Sequence, residues 1–290
     1  MVSAVSDGVW LHRLLRVSLR LRGVRSNRVT VSGLPIHFYE VEGPGRVPLV
    51  WVHGLGSSAG AFARSLFLLQ PHFSRVVAFD FPGNGLSPMP PGGPLSIEAQ
   101  KSLLHTFLSD VMREPVFLVG NSLGGGLALA VALDAPERVC ALGLVAPAGA
   151  QLPEDKQSAL AASLDVKTSA HARDIVRRLF HRVPAFAFLY SPWVKRAFGS
   201  ASSRAVLAQA HTAAASLSPS ALTRLSVPTL LLWGESEKVL PEESLAYFRA
   251  HLPPIARIET VQGFGHIPHV EHPHALASRL VAFVKEKANL

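Results

Sequence analysis

The stretch that most constrains the fold is the pentapeptide GNSLG at residues 120–124. An apolar run, 116–119, precedes it, and a run of small and apolar residues that can form a helix, 125–135, follows it. This order predicts a strand, a sharp turn and a helix, with Ser122 in the turn. Such a turn strains the serine backbone, so the residues two before and two after it need to be nearly free of side chain. The two glycines of the pentapeptide meet that requirement.

Strand and helix signals alternate along the chain from residue 28 onward, beginning with a predicted hairpin around residues 32–35. Continuous apolar runs such as 47–52 are typical of strands buried in a parallel sheet. Alternation with helical segments predicts an α/β fold, with a mainly parallel central sheet flanked by helices. Between about residues 150 and 226 only helical segments are predicted, which indicates an all-helical insertion at the edge of the sheet where ligands bind.

Three parts of the chain follow from this pattern. We expect a basic amphipathic helical arm over residues 1–27, an α/β core over 28–149 and 227–290, and a helical cap over 150–226. The 290 residues carry a net charge of +8, which could indicate a nucleic acid or an anionic membrane as partner. No nucleic-acid-binding motif accompanies the basic residues, so no nucleic acid partner is expected.

The arm carries arginines at helical spacing between apolar residues over residues 10–22. The favoured interpretation is a helix packed on the body of the protein, and the alternative is weak contact with a membrane or lipid interface. The arginines interrupt any signal-peptide core, and no apolar run is long enough to span a membrane. A cytoplasmic location is therefore expected, with peripheral membrane association as the alternative.

The loop HGLG at residues 53–56 directly follows the apolar run 47–52. A serine that attacks a carbonyl needs two N–H donors for the developing oxyanion. The backbone N–H groups of Leu55 and Leu123 are the candidates, and His53 and Gly54 are candidate pocket residues. A second loop, DFPGNGLS at 80–87, is interpreted as structural, with Asp80 accepting hydrogen bonds from loop N–H groups.

A base and a carboxylate complete the candidate site. His266 lies after the last predicted strand, between glycine and proline residues, which suits a general base that must reach Ser122. The carboxylate that orients the base is expected in the loop after Trp233, where Glu237 is favoured over Glu235. The histidines that follow His266 have no spacing or carboxylate set that fits a metal site, so neither a metal nor a cofactor is expected.

Five motifs in this order resemble the α/β-hydrolase superfamily: HGLG, DFPGNGLS, GNSLGG, WGESEKVLP and GFGHIPHVEHP, at residues 53–56, 80–87, 120–125, 233–241 and 263–273. Within it the chain looks most like bacterial serine esterases and lipases that carry a helical cap. The resemblance implies a serine nucleophile. The family usually has aspartate where this chain has Glu237, one methylene longer.

The resemblance implies a serine carboxylic ester hydrolase that acts through an acyl-enzyme on a small-molecule ester. Aromatic side chains of the cap are expected to line an apolar pocket for short to medium uncharged chains, with Phe186, Tyr190 and Trp193 as candidates. One alternative is a C–C bond hydrolase of the meta-cleavage-product type, whose carboxylate substrate would meet the cap arginines. Another is a non-catalytic binding protein on the same scaffold. The oligomeric state stays open.

Overall fold

An eight-stranded sheet forms the centre of the computed structural model, which describes residues 9–287. In space the strands follow the order β1-β2-β4-β3-β5-β6-β7-β8. The first two form an antiparallel hairpin and β2 pairs antiparallel with β4, whereas every later pair is parallel. The predicted α/β architecture is therefore confirmed. The strands are β1 (Arg25–Val31), β2 (Leu34–Glu42), β3 (Leu49–Val52), β4 (Arg75–Phe79), β5 (Val116–Asn121), β6 (Val139–Val145), β7 (Thr229–Gly234) and β8 (Ala256–Val261).

Helices connect and cover these strands. Their bounds in the described part of the chain are α1 (Val9–Leu21), α2 (Ala63–Leu69), α3 (Ile97–Phe107), α4 (Leu123–Asp134), α5 (Glu154–Leu164), α6 (Ser169–Leu179), α7 (Ser191–Phe198), α8 (Ala201–Leu207), α9 (Pro219–Leu222), α10 (Glu242–His251), α11 (Pro268–Glu271) and α12 (Pro273–Lys287). Ser96 caps the N-terminus of α3, because its hydroxyl accepts the N–H of Ala99. Over residues 9–287 none of the helices combines the length and apolar character that a bilayer crossing requires.

The apolar core lies on both faces of the sheet. Helices α3, α4 and α10 pack on one face, and α2 and α12 pack on the other. The central strands β3, β5 and β7 are buried along their whole length, which explains why most of their residues are apolar. Trp51 of β3 stacks on Phe62 at 4.5 Å between ring centroids and ties the sheet to the segment before α2.

Helix α1 packs on the same face as α2 and α12. Leu19 is buried with 2% of its surface exposed, and Leu15 packs beside it. The opposite side of the helix leaves three apolar side chains in solvent: Leu14, Val17 and Leu21. The helix thus packs on the body and also keeps an apolar outer stripe. The part of the predicted arm that precedes residue 9 lies outside the described residues.

The segment between β6 and β7 is helical, from α5 to α9, in accordance with the break in the strand alternation. Part of it has an apolar core of its own, which includes Ile175 and Val176 of α6 and Val194 of α7. This segment covers the carboxyl ends of the parallel strands. The loops that follow β3, β4, β5, β7 and β8 begin at that edge, and each carries one of the sequence motifs.

Candidate active site

The turn between β5 and α4 places Ser122 in a conformation that residues other than glycine rarely adopt, with φ 55° and ψ −123°. The two glycines of the pentapeptide make this turn sterically feasible. A Cβ at Gly120 would lie 2.2 Å from the carbonyl oxygen of Gly124, and a Cβ at Gly124 would lie 2.3 Å from that of Val52. The chain crosses too closely here for any side chain, so both positions require glycine.

Glu237 and His266 meet beside this turn. The Nδ1 atom of His266 lies 2.7 Å from Oε2 of Glu237, and both side chains are buried, with 5% and 2% of their surface exposed. A carboxylate can only accept, so Nδ1 carries the proton and Nε2 is left as the acceptor. Glu235, the other candidate, is exposed to solvent. The structure therefore brings Glu237, and not Glu235, to His266.

The extra methylene of Glu237 is accommodated by the loop itself. The Oε1 atom accepts the backbone N–H groups of Val239 at 2.7 Å and Leu240 at 3.0 Å. Burial raises the pKa of Glu237, but the charge and hydrogen bond of His266 and the two loop N–H groups outweigh burial and lower the pKa overall. The group is thus a buried carboxylate with both oxygens engaged.

Asn121 links the serine turn to the histidine loop, which the sequence did not reveal. Its side-chain amide donates to the carbonyl oxygen of Val145 at 3.1 Å and to that of His266 at 3.0 Å. The second contact joins residues 145 positions apart. Because Asn121 is the immediate neighbour of Ser122, this bond holds the histidine backbone beside the serine. Its position inside the GNSLG motif was the one available signal.

The loop at residues 53–56 lies against the serine. A Cβ at Gly54 would lie 3.1 Å from Cβ of Ser122, so glycine allows this close approach. In the described part of the chain, the N–H of Leu55 makes no hydrogen bond. The N–H of Leu123 belongs to the first turn of α4, where N–H groups have no partner within the helix. Both groups are therefore available as donors near Ser122.

Two clefts meet at Ser122. The first, which we call the histidine cleft, contains Gly54, His266 and Trp193, and it reaches the cap through Leu179 and Phe198. The second, which we call the cap cleft, runs below α5 and α8 and is partly open to solvent. Leu55, Ser122 and Leu164 line both. The cap cleft is almost wholly apolar, with lining residues that include Leu123, Leu152, Leu160, Val206 and Leu240.

His269 lies in the wall of the histidine cleft and is 2% exposed. Its ring lies 4.9 Å from that of Phe62, between centroids. Burial, with a smaller contribution from the neighbouring His266, lowers the pKa of His269 to about 3. The imidazole is therefore neutral at physiological pH and adds no charge to the cleft.

Three predicted pocket residues lie elsewhere. His53 is buried under the loop: its Nδ1 lies 2.9 Å from the carbonyl oxygen of Gly54, and its Nε2 accepts the N–H of Phe81 at 3.1 Å. Both ring nitrogens are thus used to hold backbone. Phe186 and Tyr190 point to solvent, with 55% and 49% of their surface exposed. Neither lines the two clefts at Ser122, because the short helical segment that carries them lies on the outer surface of the cap.

Asp80 has the structural role that its loop predicts. It is buried, and its carboxylate accepts the N–H groups of Ala59 at 2.7 Å and Leu86 at 3.0 Å. The Nδ1 atom of His37 lies 2.7 Å from the same carboxylate. These contacts fasten the loop after β4 to the segment after β3. Within residues 9–287, no group of three or more His, Cys, Asp or Glu side chains could hold a metal ion.

A family model described as the alpha/beta hydrolase fold matches residues 47–273. The chain belongs to the α/β-hydrolase family. The "Uncharacterized hydrolase YugF" of Bacillus subtilis is 25% identical over 269 residues, 89% of this chain and 97% of that protein. "Lipase 1" of Psychrobacter immobilis is 24% identical over 255 residues, 81% of this chain and 76% of that protein.

Among solved structures of this α/β-hydrolase fold, a membrane phospholipase A matches with a TM-score of 0.82. It is 25% identical in sequence, and the match covers 97% of this chain and 94% of the other. The relatives carry the names hydrolase, lipase and esterase. At the level of the family, these relatives confirm the prediction that the chain is an enzyme of the carboxylic ester hydrolase class.

Proposed function

We propose that this α/β-hydrolase cleaves carboxylic esters through an acyl-enzyme, with Ser122, His266 and Glu237 as its catalytic triad. The observation that carries the proposal is the buried His266–Glu237 pair, 2.7 Å apart, whose histidine lines the same cleft as Ser122. The carboxylate fixes the imidazole tautomer in which Nε2 can accept a proton. A serine at the end of a buried strand and a base of this kind are the parts that nucleophilic acyl transfer requires.

In the proposed reaction, Nε2 of His266 takes the Ser122 hydroxyl proton as the oxygen attacks the ester carbonyl carbon. The backbone N–H groups of Leu55 and Leu123 hold the resulting oxyanion. The intermediate collapses, the ester C–O bond breaks, and His266 returns its proton to the leaving alcohol. Water, deprotonated by His266, then attacks the acyl-enzyme and releases the acid and free Ser122. Glu237 stabilises the imidazolium that forms in both steps.

The two clefts support an uncharged, largely apolar substrate of short to medium chain length. An ester has two parts, and the clefts on the two sides of Ser122 offer a separate place for each. Among the residues that the structure describes, no Lys, Arg, Asp or Glu lines either cleft. Burying an unpaired charged group there would be strongly unfavourable, so neutral esters are favoured over substrates with a free carboxylate.

The test is hydrolysis of p-nitrophenyl esters from acetate to palmitate by the wild type and by Ser122→Ala, with the exposed Ser220→Ala as control. We expect turnover by the wild type and the control, and at least about a thousandfold loss for Ser122→Ala. Equal turnover by Ser122→Ala would contradict the proposal. A maximum at palmitate, or preferential attack on emulsified long-chain triglyceride, would contradict the proposed chain length.

Cleavage of a C–C bond, the alternative, has less support in this site. The four cap arginines that could bind a substrate carboxylate do not line the clefts: Arg173, Arg177, Arg178 and Arg182. Arg178 instead donates to backbone carbonyl groups of the loop that carries Glu237. The discriminating assay is turnover of a dienoic ring-fission product, which we expect to be absent while ester turnover is present.

We further propose that the enzyme works at the surface of an anionic lipid bilayer. Two neighbouring parts of the surface support this: the outer stripe of α1 and the cap segment 183–190. Helix α1 and the cap meet where His12, Trp193 and Arg196 line one cleft. Together they expose a set of large apolar side chains, which we call the lipid-facing surface: Leu14, Val17, Leu21, Val183, Phe186, Phe188, Leu189 and Tyr190.

The charge of the same two parts fits an anionic surface. Helix α1 contains Arg13, Arg16 and Arg20 and no acidic residue, and the uncharged cap segment 183–190 is flanked by Arg182, Lys195 and Arg196. Apolar side chains that enter the interface, together with basic side chains at the headgroups, are the pattern of peripheral membrane binding. The similar solved structure is that of a membrane phospholipase A, which agrees with a lipid-related role.

The lipid proposal is tested by co-sedimentation with vesicles of phosphatidylcholine containing phosphatidylglycerol. The variant Phe188→Ser/Leu189→Ser removes two exposed apolar side chains without touching the core, and we expect affinity to fall at least about tenfold. Ile255→Ser is the control, because Ile255 is 40% exposed but precedes β8, at the sheet edge away from the clefts. Equal binding by all three proteins, or no binding by the wild type, would contradict the proposal.

A further inference from the structure

The end of α6 reaches across to the loop that carries Glu237. The guanidinium of Arg178 donates from Nε to the carbonyl oxygen of Lys238 at 2.8 Å and from Nη2 to that of Val239 at 3.1 Å. The N–H of Val239 in turn donates to Glu237 at 2.7 Å. Arg178 and Glu237 thus hold the same tight turn, one through its carbonyl groups and the other through its N–H groups. A planar guanidinium can reach two acceptors at once.

The same short stretch of the cap also holds the loop that carries His266. The N–H of His266 donates to the carbonyl oxygen of Leu179 at 3.0 Å. Glu271, which ends α11, accepts the backbone N–H of His181 through both carboxylate oxygens, at 2.9 and 3.0 Å. The ring of His181 makes a hydrogen bond of 2.6 Å with the hydroxyl of Ser236, in the Glu237 loop. Residues 178–182 are therefore bonded to both loops.

We propose that residues 178–182, the cap clasp, hold Glu237 and His266 in the arrangement in which they can serve Ser122, with Arg178 as the positioning residue. The proposal rests on the proposed function. Helix α6 is anchored in the apolar core of the cap by Ile175 and Val176. The cap and the two loops are therefore joined, so a movement of the cap would also move Glu237 and His266 relative to Ser122. The cap contributes to turnover as well as to the shape of the pocket.

The test compares Arg178→Ala and Arg178→Lys with Arg177→Ala and Arg177→Lys. Arg177 is the adjacent arginine of the same helix, is exposed, and makes no ion pair or side-chain hydrogen bond in the described part of the chain. For Arg178→Ala we expect kcat to fall about 10- to 100-fold with KM within about threefold, because the reacting groups and not the clefts are displaced. Arg178→Lys should be intermediate, since an ammonium keeps the charge but not the two-pronged geometry. The Arg177 variants should stay within about twofold of wild type.

A second measurement does not depend on turnover. The proton shared by Nδ1 of His266 and Glu237 is expected to give a proton NMR signal far downfield in the wild type and the Arg177 variants. In Arg178→Ala it should broaden or disappear, because the Glu237 loop is released. Unchanged kcat and an unchanged signal would overturn the clasp. If Arg178→Ala does not fold, the test rests on Arg178→Lys and Arg177→Lys. Equal kcat values and equal NMR signals in these two variants would overturn the cap clasp.

The two proposals fail in different ways. If the wild type hydrolyses no ester but its NMR signal still depends on Arg178, the positioning role stands and the assigned reaction is wrong. If the wild type hydrolyses esters and the Arg178 variants match the Arg177 variants in kcat and in signal, the reaction stands and the clasp is wrong. If Arg178→Ala changed KM without changing kcat, the clasp would also be wrong, because that result would assign Arg178 to substrate binding.

Discussion

At the scale of the residue, Glu237 is the side chain that performs two tasks at once. One oxygen faces Nδ1 of His266 and the other accepts the N–H groups of Val239 and Leu240. An aspartate has a shorter reach and cannot keep both sets of contacts without a shift of the loop. The glutamate therefore fits a loop that is set back from the histidine by about one methylene.

This residue carries the first prediction. We expect Glu237→Gln to lower kcat for p-nitrophenyl butyrate by about 10²- to 10⁴-fold, because an amide can stabilise neither the tautomer nor the imidazolium. Glu237→Asp should also be impaired, but less. The matched control is Glu235→Gln, which changes an exposed carboxylate two positions away and should keep wild-type kcat. Loss of activity in Glu235→Gln with none in Glu237→Gln would reverse the assignment.

The candidate residues differ in how far the sequence predicts them. Ser122 and His266 could be selected because each is bracketed by small or rigid residues after a predicted strand. Glu237 and Glu235 could not be separated, because both lie in one loop and only the fold buries one of them. The contacts of Asn121 with His266 and of Arg178 with the Glu237 loop could not be predicted, since the partners lie 145 and 60 to 61 positions apart. Contacts at that separation have no local signal.

At the scale of the element, the turn between β5 and α4 is the most demanding piece of backbone in the site. Its glycines face backbone atoms, which cannot move aside as side chains can.

We expect Gly120→Ala to destabilise the protein by about 3 kcal/mol or more, because its Cβ would lie 2.2 Å from a carbonyl oxygen. Urea unfolding measures this, with Gly92→Ala as control, since a Cβ there meets no atom within 4 Å. Equal stability of both variants would contradict the close crossing.

Periodicity predicts the elements of the core better than the surfaces of the cap. The buried strand β3 is apolar throughout and so is the start of β5, and the segment 150–226 is helical as its pattern predicts. The aromatic residues of the cap could not be assigned in this way. Phe180 and Phe198 are buried in its core while Phe186 and Tyr190 are exposed, although all four have similar neighbours along the chain. Which of these aromatic side chains are buried depends on how the cap helices pack against each other, and the residue pattern of one helix does not contain that information.

At the scale of the whole molecule, a buried neutral histidine ties stability to pH. The pKa of His269 is lowered from the usual 6.5 to about 3 by burial, so between these pH values the unfolded chain binds a proton that the folded protein does not. Stability is therefore full above pH 6.5 and falls as the pH drops toward 3. One such proton changes the free energy of unfolding by up to about 1.4 kcal/mol per pH unit.

The corresponding prediction concerns the difference in unfolding free energy between pH 7.5 and pH 5.0. In His269→Leu this difference should be smaller than in the wild type by about 1–2 kcal/mol, because the titrating group is gone. His274→Leu changes an exposed histidine five residues away and should keep the wild-type difference. Chemical denaturation of the three proteins at the two pH values gives the six unfolding free energies. An unchanged difference in His269→Leu would show that His269 is protonated in the folded protein as well.

The order of the strands has a consequence for synthesis on the ribosome. The proposed nucleophile and oxyanion donors belong to the first half of the chain, but the carboxylate and the base follow β7 and β8, the last two strands, and β8 forms the edge of the sheet. A nascent chain that has emerged as far as β6 can fold much of its sheet and still lack two of the three groups. The growing chain consequently lacks the complete proposed triad until the segment that carries His266 has left the exit tunnel.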